Sequence, residues 1–302
     1  MATIGDIRIG ISGWRYEPWR GVFYPEKLAQ RLELQYASNK FNSIELNGSF
    51  YSLQKPKNFQ QWYSETPENF LFSVKGPQFI THIRRLKDVE GPLANFLASG
   101  LLCLREKLGP ILWQFPPNLK FDATLFEHFF SLLPHTTKEA GEIGKDHDKW
   151  LDGRSWLEID KNRPLRHTVE IRNKSFANGE YIAMLRKYQI GSVVADTPMW
   201  PRLMDITADF VYCRLHGSEK LYASGYTDEA LDEWGQRIVR WAHGEESLDG
   251  DKASKENAPK MKTRDVLVYF DNDLKVKSPA DAMTLRKRVE KISENEGTPQ
   301  PA

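Results

Sequence analysis

Eight short runs rich in β-branched and aromatic residues recur along the chain, separated by longer stretches with helical spacing. This alternation limits the available folds more than any other feature. The runs are residues 7–12, 43–46, 71–75, 111–115, 168–172, 192–195, 210–215 and 266–270. Antiparallel strands are joined by short turns, whereas strands separated by helix-length crossovers pair in parallel. Eight such units predict an α/β fold, a TIM-like (β/α) barrel. A chain of 302 residues suits one such domain over 1–302, and 9 Trp, 16 Phe and 11 Tyr supply its core.

Helix signals fill most of the gaps. Residues 93–106 carry a helical pattern and are expected to stop at Gly109-Pro110. Residues 122–133 open on an Asp122 cap and end before Pro134, and residues 228–243 close at Gly244. Two stretches stand apart. Residues 134–166 are expected to form an insertion after strand four. Residues 244–265, dense in Lys, Glu, Asp and Ser, are expected to form a flexible loop before strand eight. The tail 293–302 is expected to be disordered.

Composition narrows the chemistry. A formal net charge of +1 gives no strong generic attraction to nucleic acid. The two cysteines, Cys103 and Cys213, lie far apart among apolar residues and read as small buried hydrophobes, not a disulfide or zinc motif. Of the seven histidines only His82 and His216 fall near strand ends, with His167 just before a strand. A multi-histidine metal cluster is therefore not expected, and no metal ligands are assigned. No motif requires a cofactor, and a single oxygen-rich magnesium-type site is left open. There is no phosphate-cradling P-loop, no Gly-x-Gly-x-x-Gly after a strand and no nucleophile elbow. The amino-terminal residues show no secretory pattern and no run reaches a membrane-spanning length, so the expected compartment is the cytoplasm.

The polar residues gather where the apolar runs end. Ser12 follows the first run, Glu45 and Asn47 the second, Lys75 the third and Gln114 the fourth. Glu170 and Arg172 follow the fifth, Asp196 the sixth, Arg214 and His216 the seventh, and Asp271-Asn272-Asp273 the eighth. In a parallel barrel all these ends lie on one rim. Glu45 with Asn47, Glu170 with Arg172 and Arg214 with His216 are each two apart, so each pair projects from one face. Any one such residue reads most simply as a solvated terminus or a salt bridge; their convergence over eight strands points to a ligand site. Glu45 and Glu170 are candidate acid/base groups, His216 a candidate proton carrier, and Lys75 an activated amine or a salt-bridge partner. Asn47, Gln114, Arg172, Asp196, Arg214 and Asn272 are candidate substrate-binding groups. The loop 13–25 packs Trp14, Tyr16, Trp19, Phe23 and Tyr24 together. It serves either as a plug packed on the following helix or as a ligand wall, with Trp14 and Tyr16 the contact candidates.

Several stretches carry a resemblance. Ile9-Gly10-Ile11-Ser12-Gly13-Trp14, Trp19-Arg20-Gly21-Val22-Phe23-Tyr24-Pro25, Ile44-Glu45-Leu46-Asn47, Lys107-Leu108-Gly109-Pro110-Ile111-Leu112-Trp113-Gln114-Phe115-Pro116-Pro117, Glu170-Ile171-Arg172 and Arg214-Leu215-His216-Gly217 resemble the YecE-like family (domain of unknown function 72, DUF72). The resemblance runs over nearly the whole chain and implies a TIM-like barrel with no firmly established activity. The sequence departs from the family pattern where Asn173 stands in place of a histidine and where Asp271-Asn272 stands in place of an asparagine pair. A mechanism relying on a histidine at position 173 does not carry over.

The leading expectation is an enzyme acting on a small polar or sugar-like molecule at the carboxyl-end rim, with hydrolysis through the Glu45 and Glu170 carboxylates as the working reaction class. The rivals are a nucleic-acid-binding or nucleic-acid-processing barrel, which is not favoured, and a non-catalytic ligand-binding module. The sequence leaves the oligomeric state open and implies no membrane partner.

Overall fold

The strands β1 (Ile7–Ser12), β2 (Ser43–Leu46), β3 (Leu71–Lys75), β4 (Leu108–Gln114), β5 (His167–Glu170), β6 (Gly191–Asp196), β7 (Phe210–Leu215) and β8 (Asp265–Phe270) pair in parallel and in chain order, and β8 closes on β1. This computed structural model describes residues 4–217, 221, 225–272 and 276–296. Asp273 and the part of the tail from residue 297 on lie outside the described residues. The helices are α1 (Glu33–Ser38), α2 (Gly48–Tyr51), α3 (Pro56–Ser64), α4 (Glu90–Ala98), α5 (Ala123–Ser131), α6 (Thr137–Gly144), α7 (Gly179–Lys187), α8 (Asp228–Ala242) and α9 (Ser278–Glu296).

Strand alternation sorts the side chains into two cores. Ile11, Ile44, Val74, Trp113, Val194 and Val268 face outward into the layer covered by the helices. The opposite parity, including Leu112, Val193, Phe210, Tyr212, Leu267 and Tyr269, fills the barrel itself. Going up the barrel, this interior turns polar by steps. Tyr269 and Tyr212 place their hydroxyls 2.6 Å from Ser43 Oγ and 2.7 Å from Ser73 Oγ, above the apolar floor. The next residue of the same parity on several strands is charged: Glu45, Lys75, Glu170 and Arg214.

Three local departures from the sequence reading have physical causes. The helix expected over 93–106 breaks at Gly100, whose φ of +114° only glycine holds comfortably, and continues as a tighter 3₁₀ stretch, Leu101–Lys107. Gly109-Pro110 therefore lies inside β4 instead of stopping a helix. The missing N–H of Pro110 fits the register shift where β4 meets β3. The connection from β6 to β7, residues 197–209, forms no helix; it contains Pro198 and Pro201. The vacancy on the barrel wall is covered by the 244–265 segment. Asp205 accepts hydrogen bonds from the Ala253 and Ser254 amides at 2.7 and 3.0 Å, Met204 N donates to Asp251 O at 2.8 Å, and Arg186 Nη2 donates to Glu256 O at 3.3 Å. The 134–166 stretch carries α6, which opens with a reciprocal Thr136–Glu139 capping box.

The closure between β1 and β2 is unusually tight. At Gly10 a Cβ would lie 1.8 Å from the Ser43 carbonyl oxygen. Just before it, Asn42 substitutes for ladder partners, accepting from Ile9 N and donating to Ile7 O, both at 3.0 Å. Because the obstacle at Gly10 is backbone, a side chain there forces the strands apart. Gly10→Ala is expected to destabilise the fold by about 3 kcal/mol or more in urea unfolding; an unchanged midpoint would contradict this packing.

Candidate active site

Arg214, at the end of β7, is the hub of the upper barrel. Its guanidinium is only 1% exposed and has three carboxylates around it. Nε and Nη2 form a fork onto Glu45 at 3.0 and 2.9 Å, Nη1 donates to Glu170 Oε2, and Nη2 also reaches Asp271 Oδ2 at 2.9 Å. Glu45 is saturated. Besides Arg214 it accepts from Ser12 Oγ at 2.6 Å and from the Tyr212 hydroxyl at 2.8 Å, which fills the four sites of a carboxylate. Burial, reinforced by Glu45, pushes the Tyr212 phenol far above its ordinary pKa, so it remains a donor. Glu170 also takes Arg172 Nε and Nη2 on Oε1, both at 2.8 Å, with His216 Nε2 at 3.7 Å. Burial opposes ionisation of Glu170, but Arg172, Arg214, His216 and Lys75 outweigh it and hold the pKa well below the usual range. Asp271 is held low in the same way: burial opposes its ionisation, and Arg214 and His216, whose Nδ1 lies 3.1 Å from Oδ2, overcome it.

Lys75, at the end of β3, differs from the other charged groups. Its side chain is 7% exposed, and its ammonium sits 4.3 Å above the Phe50 ring. Among the described residues, Lys75 Nζ makes no hydrogen bond or ion pair, since the neighbouring carboxylates are taken by Arg214, Arg172 and His216. Burial first, and then the Arg214 charge, bring its pKa from 10.5 down to about 8. The backbone beneath is fixed: Ser49 Oγ donates to Lys75 O at 2.6 Å, and Gly76 N donates to Leu112 O at 2.8 Å.

Lys75 opens into a cleft of about 550 Å³ at the carboxyl ends of the strands. The same cleft is lined by Tyr16, Asn47, Gln114, Arg172, Arg214 and Asp271, with Phe50, Tyr51, Gln78 and His82 completing the wall. His82 rides on a single π-helical turn, Phe79–Ile83, followed by Arg85, Leu86 and Asp88 at φ of 51°, 67° and 50°. Such left-handed non-glycine residues cost about 1–3 kcal/mol each and collect at functional walls. Burial, together with Lys75 and Arg172, lowers His82 to a pKa of about 4, so its ring is neutral at pH 7.

The residues singled out in the sequence thus divide. Lys75, Tyr16, Asn47, Gln114, Arg172 and Arg214 face the cleft. Glu45, Glu170 and His216 stand beneath or behind its surface, fully buried, with Trp200 edge-on to His216 and 4.2 Å from the Arg172 guanidinium. Trp14 lines an adjoining hollow of about 270 Å³ with Trp62, sharing Tyr16 and Asn47 with the main cleft. Asp196 is paired with Arg202 at 2.9 Å, and Asn272 donates to Asp281 on α9 at 2.8 Å; neither lines the cleft. Asn173 caps the turn 174–176 and donates to Pro117 O. The strand-end pattern marks Ser12 and Asp271 on the rim without giving them a role, and it leaves out Tyr212. Tyr212 was signalled by its spacing of two from Arg214, and Asp271 by its place at the end of β8. Phe50 and Tyr51 on α2, aromatic residues just after strand two that the sequence offers as part of the same wall as Trp14 and Tyr16, line the cleft. Among the described residues no group of three His, Cys, Asp or Glu is arranged to hold a metal ion, and no helix is long and apolar enough to cross a membrane.

A closed parallel barrel with a charged cleft at its carboxyl ends defines the architectural class, a TIM-like α/β barrel. The chain belongs to the family described as "Protein of unknown function DUF72", whose model matches residues 8–302. UPF0759 protein YunF of Bacillus subtilis (strain 168) is 37% identical over 116 residues, 37% of this chain and 40% of that protein. UPF0759 protein YecE of Escherichia coli (strain K12) is 27% identical over 131 residues, 42% of this chain and 44% of that protein. The matched stretch spans less than half of each of these relatives. A DUF72 family crystal structure from Thermotoga maritima MSB8 superposes with a TM-score of 0.71 at 25% identity, covering 94% of this chain and 99% of that one. One from Enterococcus faecalis V583 gives 0.65 at 16% identity, over 94% and 95%, a likeness of fold alone.

The depressed pKa of Lys75 has a consequence for stability. Between about 8 and 10.5 the unfolded chain binds the proton that the folded chain has lost, so stability rises with pH across that window. Below it, the buried charge costs the fold about 3 kcal/mol at most. Lys75→Met, which keeps the apolar contact with Phe50, is expected to raise stability at pH 7 and to lose that advantage towards pH 10. A Lys75→Met protein less stable than the parent at pH 7 would show that the ammonium is paired after all.

Proposed function

We propose that this protein is an enzyme acting on a small polar molecule in the barrel mouth, with the Lys75 amine as its reactive group. The observation that carries the reading is a nine-tenths-buried ammonium, without a partner among the described residues, aimed into a cleft of about 550 Å³. A lysine kept only for stability is expected to be ion-paired or to reach solvent. Holding one desolvated beside a second cation is a known way to keep an amine partly unprotonated at neutral pH. Amide and hydroxyl groups from Asn47, Gln78, Gln114 and Tyr16 around the cleft suit a hydroxylated ligand.

On this reading Glu45 and Glu170 are positioning residues. Their oxygens are engaged by Arg214, Arg172, Ser12 and Tyr212, leaving no carboxyl proton to give and little capacity to take one. Hydrolysis by a carboxylate acid/base pair is therefore less well supported than amine chemistry. Arg172 and Arg214 spend their charge on these same carboxylates, which favours a small, near-neutral ligand over a phosphate backbone.

The test is turnover of a deproteinised cell extract, followed by untargeted mass spectrometry. The parent protein is expected to deplete at least one polar metabolite, and Lys75→Met to reduce that rate by about 100-fold or more. Equal depletion by parent and variant, or none by either, would overturn the proposal.

A further inference from the structure

We infer that Lys75 forms a covalent imine with a hydroxylated aldehyde or ketone bound in the cleft. This rests on the reading of Lys75 as the reactive group and names the substrate class it serves. Three features support it. The ammonium has no hydrogen-bond acceptor to hold its protons among the described residues, and the cleft gives the amine room for a small molecule. Phe50 presents its ring face 4.3 Å from Nζ, a position that stabilises a cation. A protonated imine keeps positive charge at that same place. Glu45, Glu170 and Asp271 favour a cation there through their fields alone, since none of them contacts Nζ. The iminium keeps its positive charge where the ammonium had it, over the Phe50 ring and within the fields of the three carboxylates.

The step balances without an oxidant or reductant. The Nζ lone pair attacks the carbonyl carbon, the C=O π pair moves to oxygen, and a proton passes from nitrogen to oxygen through the water in the open cleft. The resulting carbinolamine takes one proton from solvent and expels water as C=N forms. Amine, carbonyl compound and one proton give protonated imine and water. The iminium then loses a proton from the adjacent carbon to solvent in the cleft, giving an enamine; a proton returned to that carbon restores the iminium, and addition of water releases the carbonyl compound, the free amine and one proton.

The probe is glyceraldehyde with cyanoborohydride at neutral pH, with peptide mass spectrometry of every lysine; pyruvate serves as an anionic comparison and acetic anhydride as a general amine reagent. The expected result is a reduced glyceraldehyde adduct at Lys75 formed at least about tenfold faster than at any other lysine, from the difference in free-amine fraction. The preference should vanish in urea and in Lys75→Arg, and glyceraldehyde should outpace pyruvate. Fast acetylation of Lys75 without a carbonyl adduct would overturn the imine while leaving the reactive-amine reading intact. Slow reaction with both reagents would overturn both readings. A pyruvate adduct faster than the glyceraldehyde one would overturn the hydroxylated substrate class.

Discussion

The Arg214 guanidinium sits inside the barrel, out of reach of bulk water, and the carboxyl ends of the strands are organised around satisfying it. A buried cation is tolerated only when its donors are met, and here Glu45, Glu170 and Asp271 arrive from three different strands or their ends to meet them. Each carboxylate in turn needs donors. Ser12 and Tyr212 supply Glu45, Arg172 supplies Glu170, and His216 approaches Asp271. The network sets two guanidinium groups against three carboxylates, and it uses up the hydrogen-bonding capacity of the acids within it.

The isolation of Lys75 follows from that saturation. A lysine beside three carboxylates would ordinarily bind one of them, but these are committed to a better-matched planar partner that forks onto Glu45. The ammonium is left to the face of Phe50 and to the cleft. His82, edge-on to the Phe50 ring at 5.1 Å, and the Ser49 hydroxyl donating to the Lys75 carbonyl support this arrangement. Stability given up at one buried amine is the usual signature of a group held for chemistry.

The sequence carried the fold clearly and the site unevenly. Period-two runs with helix-length gaps admit little besides a parallel barrel, and residues 43–46, 71–75 and 210–215 match strands β2, β3 and β7 to the residue. The absent helix between β6 and β7 was not legible, because its place is filled by a polar segment some fifty residues further on, through contacts at Asp205 and Asp251 that no local pattern encodes. Strand-end polarity correctly gathered Glu45, Lys75, Glu170 and Arg214 at one end of the barrel. Their ranking could not be read from that pattern. Which carboxylate is saturated and which cation is left over depends on hydrogen-bond geometry among residues more than a hundred positions apart, such as Arg214 and Glu45. Asp196 and Asn272 obey the same strand-end rule yet turn to Arg202 and Asp281, outside the cleft.

The most direct test of this account is an NMR titration of the Lys75 side chain in the intact protein, using lysine labelled with carbon-13 at Cε and assigned by loss of the signal in Lys75→Arg. A desolvated, partnerless ammonium should titrate with a midpoint near 8. A midpoint at or above about 10.5, the value of an ordinary or salt-bridged lysine, would contradict it.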